Sequence, residues 1–375
     1  MKILIATPLY PPDIGGPATY AKLLEDELSK EGDDVQVVSY HRVRHLPKAV
    51  AYPIYALNIF LATRSCDILL ALDPVHTGVS AWFAASIWNK PYALRVAGDY
   101  AWEQGKLRFG VREELDQFVT LSPNRMLFQV RFLRFVERFI AARARKVIVP
   151  SRYLASIVSQ WGTPKERITV IYNAFEGLPP LPPKEVLREK FGLSGTILFS
   201  AGRLVPWKGF GTLIRISASL QKSIPDLKLL IAGSGPLEGE LKRAVVEAHA
   251  SSRVTLLGDV PHALLMEYIA ASDCFVLNTG YEGLSHLLLE TLAVGTPVVT
   301  TNVGGNPELI NEERGVLVRY DAEEELIRTI TSTLSAREAA LARAKAGKDF
   351  VGGFTVERMV GETRLLLKEL TDRRV

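Results

Sequence analysis

Tyr281-Glu-Gly-Leu-Ser-His-Leu-Leu-Leu-Glu290 is the stretch that decides how this 375-residue chain is read. The apolar run before it, Asp273-Cys-Phe-Val-Leu-Asn278, reads as a buried strand, and Leu287 to Ala293 within and after it reads as a helix. Glu282 is thereby placed in the connecting loop and Glu290 on the helix, eight positions further on. Ser285 is an N-cap residue by type, so the amides around Gly283, Leu284 and Ser285 are expected to point out of the helix start, where they can hold an anion. The stretch predicts a phosphate seat flanked by two carboxylates.

Working outward, Thr196-Ile-Leu-Phe-Ser200 reads as a strand that delivers Ala201-Gly-Arg-Leu-Val-Pro-Trp-Lys-Gly-Phe210. Arg203 and Lys208, five apart between Gly202 and Gly209, can set a planar guanidinium fork and a point charge over one diphosphate. Leu227 to Gly239 contains Gly233, Gly235 and Gly239 and imitates a dinucleotide fingerprint, with Asp259 near the place of a ribose-binding acid. The last glycine is displaced by one and Pro236 occupies the turn, which argues against an oxidoreductase. Val254 to Gly258, Pro297 to Thr300 and Gly315 to Val318 complete a strand and helix series, with another glycine loop at Asn302 to Glu308.

Upstream, Gly177-Leu-Pro-Pro-Leu-Pro-Pro183 cannot form helix or central strand, because its four prolines lack amide donors, and it marks the domain boundary. Lys2 to Ala6, Val35 to Ser39, Ile68 to Leu72, Tyr92 to Ala97, Lys146 to Val149 and Ile168 to Asn173 read as short strands spaced by helical segments. That alternation predicts a parallel sheet covered on both faces, with ligands at the carboxyl ends of the strands. Gly15 and Gly16 follow the first strand. They either serve a tight turn into the helix Tyr20 to Glu31 or let the backbone approach a bulky anion.

Apolar residues at 47% and charged residues at 23% describe a globular chain and exclude disordered and collagen-like classes. Cys66 and Cys274 lack metal-ligand spacing and read as buried reduced thiols, which fits a cytoplasmic protein. Ala49 to Thr63 is the longest nearly uncharged segment and falls short of a bilayer span. Residues 1–178 hold 22 Lys/Arg against 17 Asp/Glu, or +5 of the net +4, so the remainder is −1. Arg125 to Lys146 contributes seven cations against the single acid Glu137 and predicts a helix with Phe128, Phe132, Phe135 and Phe139 on one stripe. We read the phenylalanines as core and the arginines as the solvated face; an exposed apolar face would make the helix interfacial and leave an anionic membrane surface open as a partner.

The Glu282 to Glu290 spacing, with the Gly-Arg-Leu-x-x-x-Lys-Gly pattern of Gly202 to Gly209, resembles the family 4, group 1 glycosyltransferases of GT-B fold. The resemblance covers nearly the whole chain. It implies an α/β protein of two doubly wound Rossmann-like domains facing a central cleft. Residues 1–178 would bind the acceptor and 179–355 the nucleotide sugar, with a helix of about 356–375 crossing back onto the first domain. It implies retaining, metal-independent transfer of a sugar from a nucleotide diphosphate sugar, used as substrate with no cofactor, to a hydroxyl of a glycan, lipid-linked or small-molecule acceptor. Nucleic acid is not among the partners implied.

By the same resemblance Arg203, Lys208 and loop amides assist diphosphate departure, Glu282 holds the donor sugar and Glu290 the ribose hydroxyls. Gly15, Gly16, Gly233 and Gly235 lie beside the donor. Many relatives carry a histidine near the donor sugar where this chain offers Asp99, which is expected in the catalytic set. The chain has no Asp-x-Asp metal motif. Rival readings are a GT-B 2-epimerase or phosphorylase, and a non-catalytic scaffold that keeps the nucleotide site.

Overall fold

A computed structural model describes residues 1–13 and 16–372 and divides the chain into two compact units. One consists of Met1–Ala174 with the C-terminal helix Val356–Asp372, and the other of Phe175–Thr355.

The first unit contains β1 (Lys2–Thr7), β2 (Asp34–Ser39), β3 (Ile68–Ala71), β4 (Tyr92–Arg95), β5 (Lys146–Val149) and β6 (Ile168–Val170). All pair in parallel, in the order β2-β1-β3-β4-β5-β6, with Ile3 opposite Val35 on one side and Ile68 on the other. Successive residues of a strand point to opposite faces, so the unbroken aliphatic runs of β1 and β3 mean burial on both. Ile3, Leu4, Ile5, Leu69 and Leu70 are accordingly buried. Val356–Asp372 adds Met359, Val360, Leu367 and Leu370 to the same core as Leu24 and Leu28, and Arg364 closes its edge with an ion pair to Asp33 at 2.6 Å.

The second unit contains β7 (Ile197–Ala201), β8 (Lys228–Ala232), β9 (Val254–Gly258), β10 (Cys274–Leu277), β11 (Val298–Thr301) and β12 (Val316–Val318). These also run parallel, in the order β12-β11-β10-β7-β8-β9. The doubly wound α/β class is therefore as the sequence implied. In each sheet the winding reverses once, between β1 and β3 in the first and between β7 and β10 in the second. Loops leaving the carboxyl ends of such a pair diverge to opposite faces and open a crevice between them.

One expectation fails. The helix Phe128–Arg143 forms, but Phe128, Phe132 and Phe135 are 67%, 55% and 60% exposed. Its buried face is Val130, Arg134, Glu137, Ile140 and Ala141. The reason is polar: Arg134 donates to the carbonyls of Leu121 at 2.7 Å and Val119 at 2.5 Å, while Glu137 accepts from the amides of Tyr100 at 2.7 Å and Ala101 at 3.3 Å. Backbone groups on this side of the helix need polar partners, and satisfying them fixes which side of the helix faces inward.

Candidate active site at the carboxyl ends of β7 and β10

The loop after β7 carries Arg203 and Lys208, and the loop after β10 carries Glu282. Both leave the strand pair where the second sheet reverses, and the backbone ties them together. Gly280 N and Thr279 Oγ1 both donate to Trp207 O, at 2.7 Å and 3.1 Å, and Asn278 Nδ2 donates to Gly209 O at 3.1 Å. Lys208 Nζ forms an ion pair with Glu282 Oε1, and both side chains are mostly buried. Arg203 is exposed, and among the described residues it forms no ion pair.

Ser285 is the N-cap of the helix His286–Val294, its hydroxyl accepting from Leu288 N at 3.3 Å. Leu288, Leu289 and Leu292 on its inner face are buried. Among the described residues no hydrogen bond is donated by the amides of Gly283, Leu284 or Ser285. The partial positive charge of the helix start adds to these donors, so the position suits a negative group. Glu290 lies further along the same helix and accepts from His262 Nε2 at 2.8 Å. That hydrogen bond raises the imidazole pKa, against the opposing effect of burial.

Two glycine loops support this geometry from below. A Cβ on Gly233, at φ 134°, would lie 2.0 Å from Gly202 O, and one on Gly304, at φ 59°, would lie 2.0 Å from Glu282 O. Only glycine permits such approach, and it lets Gly305 N donate to Glu282 O at 2.9 Å. Gly235 packs on Leu204 in the same way. Gly233 and Gly235 thus sit against the loop that holds Arg203. Gly16 opens the helix Gly16–Lys30, four residues earlier than the sequence suggested, and Gly15 lies outside the described residues.

Asp99 follows β4. It is 1% exposed in the first unit, where it caps the helix Tyr100–Arg108: Oδ1 accepts from Trp102 N at 2.8 Å and Oδ2 from Trp161 Nε1 at 3.2 Å. Burial pushes its carboxyl up to about 6, and burial together with the Asp99 charge pushes Glu137, at the same helix start, well above the usual range. Asp99 thus caps this helix with each oxygen hydrogen-bonded to an amide or indole donor, and its contact with a donor sugar rests on the family resemblance alone.

Residues that the sequence reading did not single out include Asn278, Thr279 and His262, whose roles come from partners 28 to 72 positions away. The carboxyl end of β3 holds another, His76, whose Nδ1 lies 3.1 Å from Asp73 Oδ1 and whose ring meets Tyr100 edge-on at 4.6 Å. Cavity size alone would mislead here. Concavities of about 420 Å³, lined among others by Lys184, Asp273 and Pro297, and of about 470 Å³, lined among others by Lys184 and Pro297, lie at the amino ends of the second sheet's strands.

Comparison with known proteins gives the chain's family and fold. A family model described as "Glycosyl transferases group 1" matches residues 184–350, and one described as "Glycosyl transferase 4-like domain" matches residues 15–174. Among curated relatives, an N-acetylgalactosaminyltransferase of Campylobacter jejuni acting on a diphospho-undecaprenol acceptor is 29% identical over 235 residues, 60% of this chain and 62% of its own. The GPI3 subunit of the phosphatidylinositol N-acetylglucosaminyltransferase of Saccharomyces cerevisiae is 28% identical over 170 residues, 45% of this chain and 38% of its own. The chain thus matches between about two fifths and three fifths of these relatives' length. Among solved structures, the sucrose-phosphate synthase of Thermosynechococcus elongatus aligns over 99% of both chains with a TM-score of 0.80 at 20% identity. Anabaena HepE, in complex with UDP-glucose, aligns over 98% of this chain and 100% of its own with a TM-score of 0.78 at 18% identity.

Proposed function

Since the chain belongs to the group 1 glycosyltransferases of GT-B fold, we propose that it moves a sugar from a nucleotide diphosphate sugar to an acceptor hydroxyl, with retention and without a metal ion. The observation that carries the proposal is the meeting of Lys208, Glu282 and the Ser285-capped helix start at the reversal of the second sheet. Arg203, Lys208 and the amides of Gly283 to Ser285 supply positive charge where the departing diphosphate gains negative charge, so they stabilise the transition state more than the ground state. The ion pair with Glu282 keeps the Lys208 ammonium in place before the donor arrives. Glu282 is assigned to the donor sugar's hydroxyls and Glu290 to the ribose.

In the transfer the acceptor oxygen bonds to the anomeric carbon as the bond to the phosphate oxygen breaks on the same face. The acceptor's proton passes to that phosphate oxygen, so no separate base is required. A glycan or glycolipid precursor is the acceptor class proposed, in keeping with the relatives above, and the first unit is assigned to its binding.

A thermal-shift panel of nucleoside diphosphates and their sugars tests the donor, because a ligand at 100 times its dissociation constant stabilises by about 2.7 kcal/mol. Product configuration by NMR, with and without chelator, tests the rest. We expect donor and product to share an anomeric configuration and the rate to survive chelation. Turnover that required inorganic phosphate would instead identify a phosphorylase, and binding without turnover a scaffold.

A further inference from the structure

The face of the first unit that the phenylalanines occupy extends across three helices. Lys48–Thr63, Gly78–Ile87 and Phe128–Arg143 pack side by side, joined by ring contacts between Phe60 and Phe83 at 6.4 Å and between Trp82 and Phe139 at 5.0 Å. Leu57, Leu61, Phe83, Ile87, Phe132 and Phe135 stand on it, each more than half exposed. Single exposed apolar residues are ordinary, whereas large ones gathered on adjoining helices mark a surface that meets something apolar.

The charges identify the occupant. These three helices carry one acidic residue, Glu137, and it is buried. Lys48, Arg131 and Arg143 are exposed on them, and Arg64 follows the first. Three guanidinium groups lie over the rings of the face: Arg64 over Trp88 at 5.6 Å, Arg131 over Phe128 at 5.8 Å and Arg143 over Phe139 at 3.3 Å. A protein partner would have to bury these cations, but the interface of an anionic bilayer accepts acyl-level rings and headgroup-level arginines together. No helix among the described residues is long and apolar enough to cross a membrane.

We infer that this three-helix face docks the chain reversibly on an anionic phospholipid bilayer, with Phe83, Phe132 and Phe135 entering the acyl boundary and Arg64, Arg131 and Arg143 meeting the headgroups. The inference is independent of the reaction, since binding is read without turnover. The buried Arg134 and Glu137 network holds the rings outward in the absence of lipid, so docking requires no refolding of the helix.

Flotation with phosphatidylcholine vesicles, with and without phosphatidylglycerol, tests it on the full chain. The wild type should float with anionic vesicles at low salt and be released at high salt, each lipid-facing cation being worth roughly fivefold in partition. Phe83→Ser/Phe132→Ser/Phe135→Ser should lower the partition at least about 100-fold. Arg64→Gln/Arg131→Gln/Arg143→Gln should lower it on anionic vesicles only, and Val246→Ser, at an exposed position of the second unit, should leave it unchanged. The inference is overturned if the wild type fails to float with anionic vesicles, if the folded phenylalanine variant floats as well as the wild type, or if the chain sediments as a dimer that this variant makes monomeric.

Discussion

Two clusters in this protein are built from the same kinds of charged side chain and do opposite things. At the carboxyl ends of β7 and β10, Lys208 and Glu282 are partly accessible, Arg203 is exposed, and helix-start amides have no acceptor among the described residues. At the start of Tyr100–Arg108, Asp99, Glu137 and Arg134 are buried, and the acceptors and donors around them are backbone groups and an indole. The first cluster has unused hydrogen-bonding capacity directed outward, which is what a ligand needs. The second spends most of its capacity inside the unit, Arg134 Nε excepted, and holds a fold in register. Residue type does not separate a functional charge from a structural one; what separates them is whether the partner is already present.

The comparison predicts effects on turnover without stability at the first cluster. Arg203→Ala or Lys208→Ala should reduce turnover by about 10² or more while the melting transition stays in place, as expected when charge stabilisation of a leaving group is lost. A folded double variant with wild-type rates would break the comparison at once. At the second cluster the order inverts. Glu137→Ala takes the acceptor from a buried amide, Ala101, and a part-buried one, Tyr100, and should cost about 3 kcal/mol in denaturant unfolding, whereas Phe132→Ala on the outer face should stay within about 0.5 kcal/mol.

Much of this was legible from the amino-acid order, for reasons that particular residues make plain. The strands were readable because parallel strands buried on both faces are unbroken aliphatic runs, and the Ser285 cap because cap and helix adjoin in sequence. The outward rings of Phe128–Arg143 were not readable. Periodicity establishes that a helix has two faces, but the carbonyls of Val119 and Leu121 and the amides of Tyr100 and Ala101 decide which one turns in, and they lie elsewhere in the chain. The capping role of Asp99 was hidden for a related cause: its partner Trp161 is 62 positions away. The tie from Trp207 O to the Glu282 loop is equally invisible in the sequence, although the motifs at its two ends are not.

Smaller effects sharpen the contrast. Glu290→Ala should weaken binding of the free nucleoside diphosphate about tenfold, the scale of a missing hydrogen bond to a charged group, because ribose is common to donor and product. Glu282→Ala should leave that binding nearly intact and reduce turnover. The opposite order in calorimetry would mean that the two roles are exchanged.

The smallest effect is a pH slope. Burial raises the Asp99 carboxyl from 3.8 to about 6, so between those values the folded chain holds a proton that the unfolded chain has released. Stability must then fall as pH rises through that window and level off above it. Asp99→Asn keeps an acceptor for the Trp102 amide and removes the titration, so its stability should vary less between about pH 4 and pH 6 than that of the wild type. An unchanged slope would place the pH dependence on Glu137, which is raised in the same sense.

The central claim is that the charged loops after β7 and β10 hold a diphosphate. Calorimetric titration of a nucleoside diphosphate into the wild type and into folded Arg203→Ala/Lys208→Ala tests it most directly. The account predicts a dissociation constant about 100-fold or more weaker in the double variant, because two charge-assisted hydrogen bonds to phosphate oxygens are removed together, with the melting temperature unchanged. Equal affinities in the two proteins would contradict it.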